Sequence, residues 1–183
     1  MWSILNYTFI PFGNAYYPQD DCPGNTRYSR NLGVPCWQDK CGNETTADAD
    51  CFDGTIFCQH GDNECSANRM EACAVELFTP EQTSVFVYCL EDHEIDMSYA
   101  EPCAEFAGMD YNILSACSAD GSADGDMADA HMGEQTADFH VTYGQDWQGT
   151  PTVVLQGQVL FTTANLLQQV CKIAGDDAPP GCF

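Results

Sequence analysis

The sequence predicts an α/β protein held together by disulfide bonds, and three observations support this class. Residues 4–10 are apolar and β-branched with little polar relief, which is typical of a strand buried in a sheet that helices cover. Two later stretches carry the hydrophobic period of a helix. Twelve cysteines are dispersed along the 183 residues, which indicates a disulfide framework from an oxidising compartment.

The charge balance excludes several classes of partner. Five Lys and Arg residues face 28 Asp and Glu residues, for a formal net charge of −23. A phosphate backbone would be repelled, so we expect no nucleic-acid partner, and anionic membrane surfaces are disfavoured too. No stretch is long and apolar enough to span a membrane. The charge favours solubility, and it also fits acidic surroundings, where protonated carboxylates repel one another less.

Residues 16–57 are polar, rich in Gly, Pro, Asn and Asp, and show no lasting helical or strand period. We interpret them as a cysteine-rich loop that follows the first strand and the turn residues 11–14. Cys36 and Cys41 have C-x4-C spacing, and nothing places either of them at a helix N-terminus, where the pKa of a thiol would fall. Structural disulfides are therefore preferred in this loop.

A helical region follows the loop. The first helix would present one apolar face made of Met70, Cys73, Ala74 and Leu77. Thr79, Pro80 and Gln82 have the pattern of an N-cap, a first-turn proline and a capping box, which predicts a second helix. Its buried face would be Val85, Phe86, Cys89 and Leu90. Shorter helical pieces are predicted near residues 99–106 and 111–117, the second capped by Asp110.

The C-terminal third predicts a turn, a hairpin and a last helix. Residues 118–129 imitate the start of a calcium loop, but His131 stands where that loop requires a bidentate Glu, so we prefer a solvated acidic turn leading into a helix. Two β-rich runs flank Gln156 and Gly157 and predict a hairpin. Thr163 would cap the last helix and Gly175 would end it. The inward side chains would be Leu166, Leu167, Val170 and Cys171.

The most specific pattern lies at residues 58–73, here called the signature. It fits C-Q-H-G-x-x-E-C-x-x-N-x-x-x-x-C at all eight fixed positions, which are Cys58, Gln59, His60, Gly61, Glu64, Cys65, Asn68 and Cys73. This pattern resembles the signature of the gamma-interferon-inducible lysosomal thiol reductase (GILT) family. The run Ile-Pro-Phe-Gly-Asn-Ala at residues 10–15 resembles a second segment of that family.

The resemblance implies a thioredoxin-like fold. On that basis residues 1–183 would form one domain with a loop insertion at 16–57, a helical insertion at 66–138, and a hairpin with the last helix at 149–175. The resemblance covers residues 4–15, 57–117 and roughly 149–182, and the loop departs from it. Thr150 and Pro151 resemble the cis-proline corner of such folds, which would bind substrate backbone, and a trans proline opening a strand is the alternative.

The resemblance also implies reduction of protein disulfides by a C-x-x-C pair, without a bound cofactor and at acidic pH. In the family the pair belongs to a strand and a helix that precede the segment resembled by residues 4–15, and neither element occurs in the 183 residues, which contain no C-x-x-C. We therefore assign no catalytic residue and expect the chain as given to be inactive. The alternative is a redox-dead, secreted, disulfide-stapled binding module.

The remaining cysteines are expected to be structural, with a pairing that the sequence leaves open: Cys22, Cys36, Cys41, Cys51, Cys89, Cys103, Cys117, Cys171 and Cys182. His60 and Glu64 should hydrogen-bond locally and fix a turn, and no ligand set completes a metal site around His60. Asn6 and Asn43 begin glycosylation sequons. Together these features predict a lysosomal or extracellular protein, although no signal peptide is present in the chain.

Overall fold

The computed structural model describes residues 7–23, 30–42, 51–144, 150–160, 162–178 and 182. Those residues are mostly helical, with one two-stranded sheet and six disulfide bonds. The chain divides into two compact units, residues 9–145 and a second unit of residues 1–8 with 146–183. Tyr7 to Ile10 form no strand, so that part of the predicted first strand is wrong, and residues 4–6 lie outside the described part.

The larger unit begins with a segment that the sequence predicted as loop. Residues Arg30–Cys41 form helix α1, despite Pro35 inside it. The helix is fastened at Cys36 to Cys22 and at Cys41 to Cys51, and its Trp37 is fully buried. Tertiary anchoring of this kind stabilises a helix whose sequence has no amphipathic period. The prediction of a cysteine-rich loop with structural disulfides is thus correct for the disulfides, but Arg30–Cys41 form a helix and not a loop.

Four helices of the predicted helical region are present. Helix α2 spans Asp62–Leu77, α3 spans Pro80–Asp92, α4 spans Ala100–Phe106 and α5 spans Tyr111–Ser118. The capping box of Thr79 and Gln82 and the cap of Asp110 are confirmed. On α3, Phe86 and Leu90 are buried as predicted, whereas Val85 and Cys89 are only partly buried.

Helix α6 spans Ala123–Tyr143 and begins inside the acidic stretch predicted as a turn. Ser122 is its N-cap and accepts a hydrogen bond from the Gly125 N–H. Asp124 and Asp126 lie in the first turn, where carboxylates offset the positive end of the helix dipole. The stretch is therefore a helix start, and only the residues before Ser122 form the turn.

Helix α2 is central to the larger unit, because it packs against α3, α5 and α6. Most of the buried side chains in the core around α2 are small or contain sulfur, and the larger ones are Phe86, Leu90 and Leu114. The small or sulfur-containing ones are Met70, Cys73, Ala74, Cys103, Ala104, Cys117, Ala128 and Met132. A second part of the same core is aromatic and lies where α1 meets α6. This aromatic cluster consists of Phe12, Tyr17, Trp37 and Phe52.

The smaller unit contains the predicted hairpin. Strands β1 (Val153–Leu155) and β2 (Gln158–Leu160) pair antiparallel, with Val154 opposite Val159. Gln156 and Gly157 both have positive φ, as a tight two-residue hairpin turn requires.

The last helix, α7, spans Leu166–Ala174. Gly175 ends it as predicted, but Thr163 does not cap it, because the N-cap position is Asn165. Leu166, Val170 and Cys171 are partly buried, while Leu167 is 49% exposed, so its predicted inward position is wrong. None of the helices in the described residues combines the length and the hydropathy that a membrane span requires.

Candidate functional site

The signature forms the start of helix α2. Cys58 and Cys65 are joined by a disulfide that brackets the first turn of the helix. Between them, Gly61 occupies the N-cap position with φ 105°, a backbone conformation that favours glycine. The Cys65 N–H donates to the Gly61 carbonyl at 3.1 Å. Gly61 and two of the three fixed cysteines, Cys58 and Cys65, therefore each have a structural role at this turn.

His60 and Glu64 fix the same turn, as predicted. The backbone N–H of His60 donates to the Glu64 carboxylate, and His60 Nδ1 lies 3.3 Å from Glu64 Oε2. The sulfurs of Cys58 and Cys65 are bonded to each other, and among the described residues His60 belongs to no group of three potential metal ligands that lie within 4.8 Å of one another. The signature histidine thus acts here as part of a turn.

The remaining polar residues of the signature hold the chain segment at residues 12–16. Asn14 Nδ2 donates to Gln59 Oε1 at 2.8 Å, and Asn68 Nδ2 donates to the Phe12 carbonyl at 3.4 Å. Tyr16 and Phe57 add an isolated β-bridge, with N–H···O distances of 3.1 and 2.9 Å. We call this set of contacts the clasp. It brings together two of the three sequence segments that resemble the GILT family, residues 4–15 and 57–117.

Every cysteine of the chain is in a disulfide bond. The last fixed position of the signature, Cys73, pairs with Cys117 and ties α2 to α5. The other pairs are Cys22–Cys36, Cys41–Cys51, Cys89–Cys103 and Cys171–Cys182. A disulfide is the electrophile of thiol exchange, and the attacking group is a thiolate. With its cysteines paired, the chain presents no thiolate of its own.

Arg69, a variable position within the signature, joins three elements. Its Nη1 donates to Asp129 Oδ2 at 2.6 Å and its Nη2 donates to Asp126 Oδ1 at 2.8 Å, both on α6. It also donates to the backbone carbonyls of Ser118 and Ser122, at 3.2 and 3.0 Å, and to that of Ala119. The guanidinium therefore satisfies carbonyls at the end of α5 and at the N-cap of α6, and it pairs with Asp126 and Asp129 on α6.

A cavity of about 140 Å³ lies beside Arg69 and is bordered by Tyr17, Asp53, Asp126 and Asp129. Burial raises the pKa of Asp129, and the hydrogen bond from Arg69 opposes that rise. Burial also raises the pKa of Tyr17, and the charge of Asp129 adds to it. The positive charge of Arg69 offsets the negative charges of Asp126 and Asp129 at the border of the cavity.

Glu71, another variable position of the signature, is only 4% exposed, and its Oε1 has no hydrogen-bond partner. Burial raises its pKa to about 8, and the nearby charge of Glu91 adds to the rise. A carboxyl group in this position holds a proton at neutral pH. The sequence analysis did not predict a role for Arg69 or Glu71, because neither is a fixed position of the signature. The signal available in the sequence was a charged residue between apolar positions of a helix.

The predicted substrate-binding residues lie in the smaller unit. The peptide bond between Thr150 and Pro151 is cis, as expected, and β1 follows two residues later. The sequons at Asn6 and Asn43 fall outside the described residues. The structure therefore leaves the predictions of glycosylation and of substrate binding as predictions.

The fold and the site define a class: a disulfide-rich, mainly helical protein in which a cysteine signature opens the central helix. A sequence model of the family "Gamma interferon inducible lysosomal thiol reductase (GILT)" matches residues 22–107. A protein of Carassius auratus named "Gamma-interferon-inducible lysosomal thiol reductase" is 35% identical over 100 residues. Residues 22–107 of the chain are therefore similar to the GILT family.

Both matches cover only part of the proteins compared. The 100 matched residues are 55% of this chain and 28% of the Carassius auratus protein. The family match begins at Cys22, so it includes much of the loop at residues 16–57 that the sequence had set apart from the resemblance. It ends at residue 107, before the predicted cis-proline corner.

Proposed function

We propose that the protein acts as a thiol–disulfide oxidoreductase that reduces disulfide bonds in protein substrates. The observation that carries this proposal is the signature, whose eight fixed residues all take part in the disulfides, the turn or the clasp. Its match to the GILT family adds the chemistry, since the Carassius auratus relative is named a thiol reductase.

The reaction needs two thiols. One thiolate attacks a sulfur of the substrate disulfide, which releases the other substrate sulfur as a thiol once it takes up a proton. The second thiol then attacks the mixed disulfide, so that the enzyme pair ends oxidised and the substrate ends with two thiols. Among the 183 residues there is no C-x-x-C to supply this pair. We therefore assign the activity to the whole protein and a scaffold role to these residues.

Within the proposal, the fold is thioredoxin-like, and Thr150 and Pro151 contact the substrate backbone beside the redox pair. Both assignments come from the family resemblance. A photo-reactive substrate peptide tests the second of them. Cross-links on residues 150–151 would support it, and cross-links confined to the helices of the larger unit would count against it.

The test of the reductase proposal compares two preparations. The endogenous protein is purified, its N-terminal peptide is identified by mass spectrometry, and its reduction of a fluorogenic disulfide-bonded protein is followed with a dithiol as the electron source. We expect turnover by the endogenous protein that alkylation abolishes, and none by the 183-residue chain. An endogenous protein without turnover at acidic or neutral pH would refute the proposal.

One observation favours a second candidate function, a redox-dead binding module. All twelve cysteines are in disulfide bonds, so the chain has no free thiol. If this second function is correct, binding to a substrate protein survives blocking of every accessible thiol. An upstream C-x-x-C in the endogenous protein would dispose of it.

We further propose that the protein resides in the lysosome or outside the cell. Six disulfides and the name of the Carassius auratus relative support this location. Removal of glycans by an endoglycosidase, read as a mobility shift that Asn6→Gln and Asn43→Gln together abolish, would test passage through the secretory pathway. Fluorescence microscopy of the endogenous protein would then separate the two destinations.

A further inference from the structure

A cysteine–histidine cluster lies outside the signature, on helices α3 and α4. Cys89 and His93 are one helical turn apart at the end of α3, and Cys103 faces them from α4. The two sulfurs and a ring nitrogen of His93 all lie within 4.8 Å of one another. Within the described ranges, this is the one group of three or more potential metal ligands that meets this distance. We call it the Cys2His cluster.

The histidine of the cluster is held in place. Its ring stacks on Tyr99 with the ring centres 3.9 Å apart and the planes 20° from parallel. Its backbone N–H donates to the Leu90 carbonyl, and its carbonyl accepts from the Asp96 N–H. The next two residues, Glu94 and Ile95, have φ of 55° and 60°, which is unfavourable for side chains of their kind. This tight turn and the stacked ring fix the imidazole beside the disulfide.

The distances suit a tetrahedral metal once the disulfide is reduced. The sulfurs of Cys89 and Cys103 are bonded at 1.98 Å. Two thiolates on a tetrahedral zinc ion, each about 2.3 Å from it, are about 3.8 Å apart. The Cα atoms of Cys89 and Cys103 are 5.5 Å apart, so both thiolates can reach one ion. The imidazole already lies within reach of the space between them.

We propose that reduction of the Cys89–Cys103 disulfide converts the Cys2His cluster into a zinc-binding site. A dithiol is oxidised to a disulfide and the Cys89–Cys103 bond gains two electrons and two protons. Zinc then displaces the two thiol protons and binds both sulfurs and the neutral imidazole of His93. Water fills the fourth position, because the described residues supply three ligands. The proposal does not depend on the proposed reductase function.

Burial and charge favour this assignment. Cys103 is fully buried, whereas Cys89 and His93 are partly exposed, so a reductant and a metal ion can reach the cluster from one side. Thiolate and imidazole ligands select zinc over calcium or magnesium, which prefer oxygen. The net charge of −23 also raises the local concentration of cations.

The experiment uses the full chain and graded reduction. Protein is treated with increasing dithiol, freed of it by gel filtration without oxygen, and divided into portions with and without zinc chloride. Free thiols are then alkylated and mapped by peptide mass spectrometry, and bound metal is counted by native mass spectrometry. We expect one zinc per reduced Cys89–Cys103 pair, with the loss of two protons, and slower alkylation of these two cysteines only in the presence of zinc.

The matched variant is His93→Gln, which keeps a polar side chain of similar length. It should weaken zinc binding at least ~10-fold, since even the loss of an outer-shell partner costs that much. His131→Gln, a change on α6 outside the cluster, should bind zinc as the parent does. Cobalt in place of zinc should give a thiolate-to-metal absorption band in the parent, and His93→Gln should need at least ~10-fold more cobalt to give the same band.

Two outcomes would overturn the proposal. The first is equal alkylation of the reduced Cys89–Cys103 pair with and without zinc. The second is equal protection of this pair in His93→Gln and in the parent across the same zinc concentrations.

Discussion

At the residue scale, Arg69 connects helix α2 to the end of α5 and to the start of α6. Its side chain is 14% exposed and that of Asp129 is 8% exposed, so their ion pair is shielded from water. Removal of one partner leaves the other charge buried without compensation. Arg69→Ala should therefore lower the free energy of unfolding by about 3–5 kcal/mol. Urea unfolding followed by circular dichroism measures this difference.

A surface ion pair provides the control for Arg69. Lys40 Nζ lies 2.5 Å from Asp21, whose side chain is 71% exposed. Lys40→Ala should leave the midpoint of unfolding almost unchanged, because solvent screens such pairs. Arg69→Lys should lose most of the stability too, since an ammonium group lacks the fork that reaches two carboxylates and three carbonyls at once. Equal effects of Arg69→Ala and Lys40→Ala would show that Arg69 has no special role in stability.

A helix glycine gives a second prediction at this scale. Gly133 on α6 faces the aromatic cluster, and a methyl group there would lie 2.9 Å from Tyr17 Cε2 and 3.2 Å from Phe52 Cδ1. Helix propensity alone would make Gly133→Ala stabilising by about 1 kcal/mol. Because both rings are fixed in the core, we expect overpacking to reverse the sign, with a loss of about 1–3 kcal/mol. A higher melting temperature for Gly133→Ala would contradict this packing.

At the element scale, the Cys73–Cys117 disulfide closes the longest loop of the six disulfides. It closes a loop with a sequence separation of 44, against 14 for Cys89–Cys103. Loop-closure entropy predicts a loss of about 4 kcal/mol when the first is removed and about 3 kcal/mol for the second. Paired Cys→Ala variants, compared by urea unfolding, test this order. A larger loss at Cys89–Cys103 would mean that local packing outweighs chain entropy.

The elements also show what the sequence could predict. Helix α3 was predictable from Thr79 to Leu90, because its capping box and hydrophobic period are local signals that the structure keeps. Helix α1 was not, because Pro35 and a polar composition argue against a helix. Its stability comes from Trp37, whose Nε1 donates to the Cys51 carbonyl, and from two disulfides whose pairing the sequence left open.

The same contrast holds for the candidate sites. The eight fixed signature residues were found by pattern, and the turn of His60 and Glu64 followed from their types. The clasp was not predicted, because it joins residues 45 and 56 positions apart in the sequence. The Cys2His cluster was missed for the same reason, since Cys103 comes from another helix than Cys89 and His93.

At the scale of the whole molecule, stability should rise as the pH falls below neutral. The folded chain holds a proton on Glu71, whose pKa is raised from 4.5 to about 8, whereas the unfolded chain releases it above pH 4.5. The stabilising effect is therefore complete below pH 4.5 and is lost as the pH rises to 8. The shift corresponds to at most about 5 kcal/mol. Asp129, whose pKa is also raised, acts in the same direction.

Melting temperatures between pH 4.5 and pH 8 measure this effect. His140 opposes it, because burial lowers its pKa and its contribution is lost as the pH falls. Glu71→Gln should flatten the pH profile and raise stability at the upper end of this range, whereas Glu105→Gln, on the exposed side of α4, should leave the slope unchanged. A parent protein without any gain below neutrality would refute both the Glu71 argument and the sequence-based expectation of acid adaptation.

The order of the disulfide pairs has a consequence for biosynthesis. Cys22–Cys36, Cys41–Cys51 and Cys58–Cys65 each join cysteines that are neighbours along the chain. During vectorial synthesis each can close as soon as its second cysteine emerges. Cys73 cannot form its native disulfide until Cys117 has emerged. Cys89 and Cys103 emerge between these two cysteines and pair with each other. Newly made chains trapped by alkylation should therefore show mispairing centred on Cys73, and a disulfide isomerase should be needed there more than at the three earlier pairs.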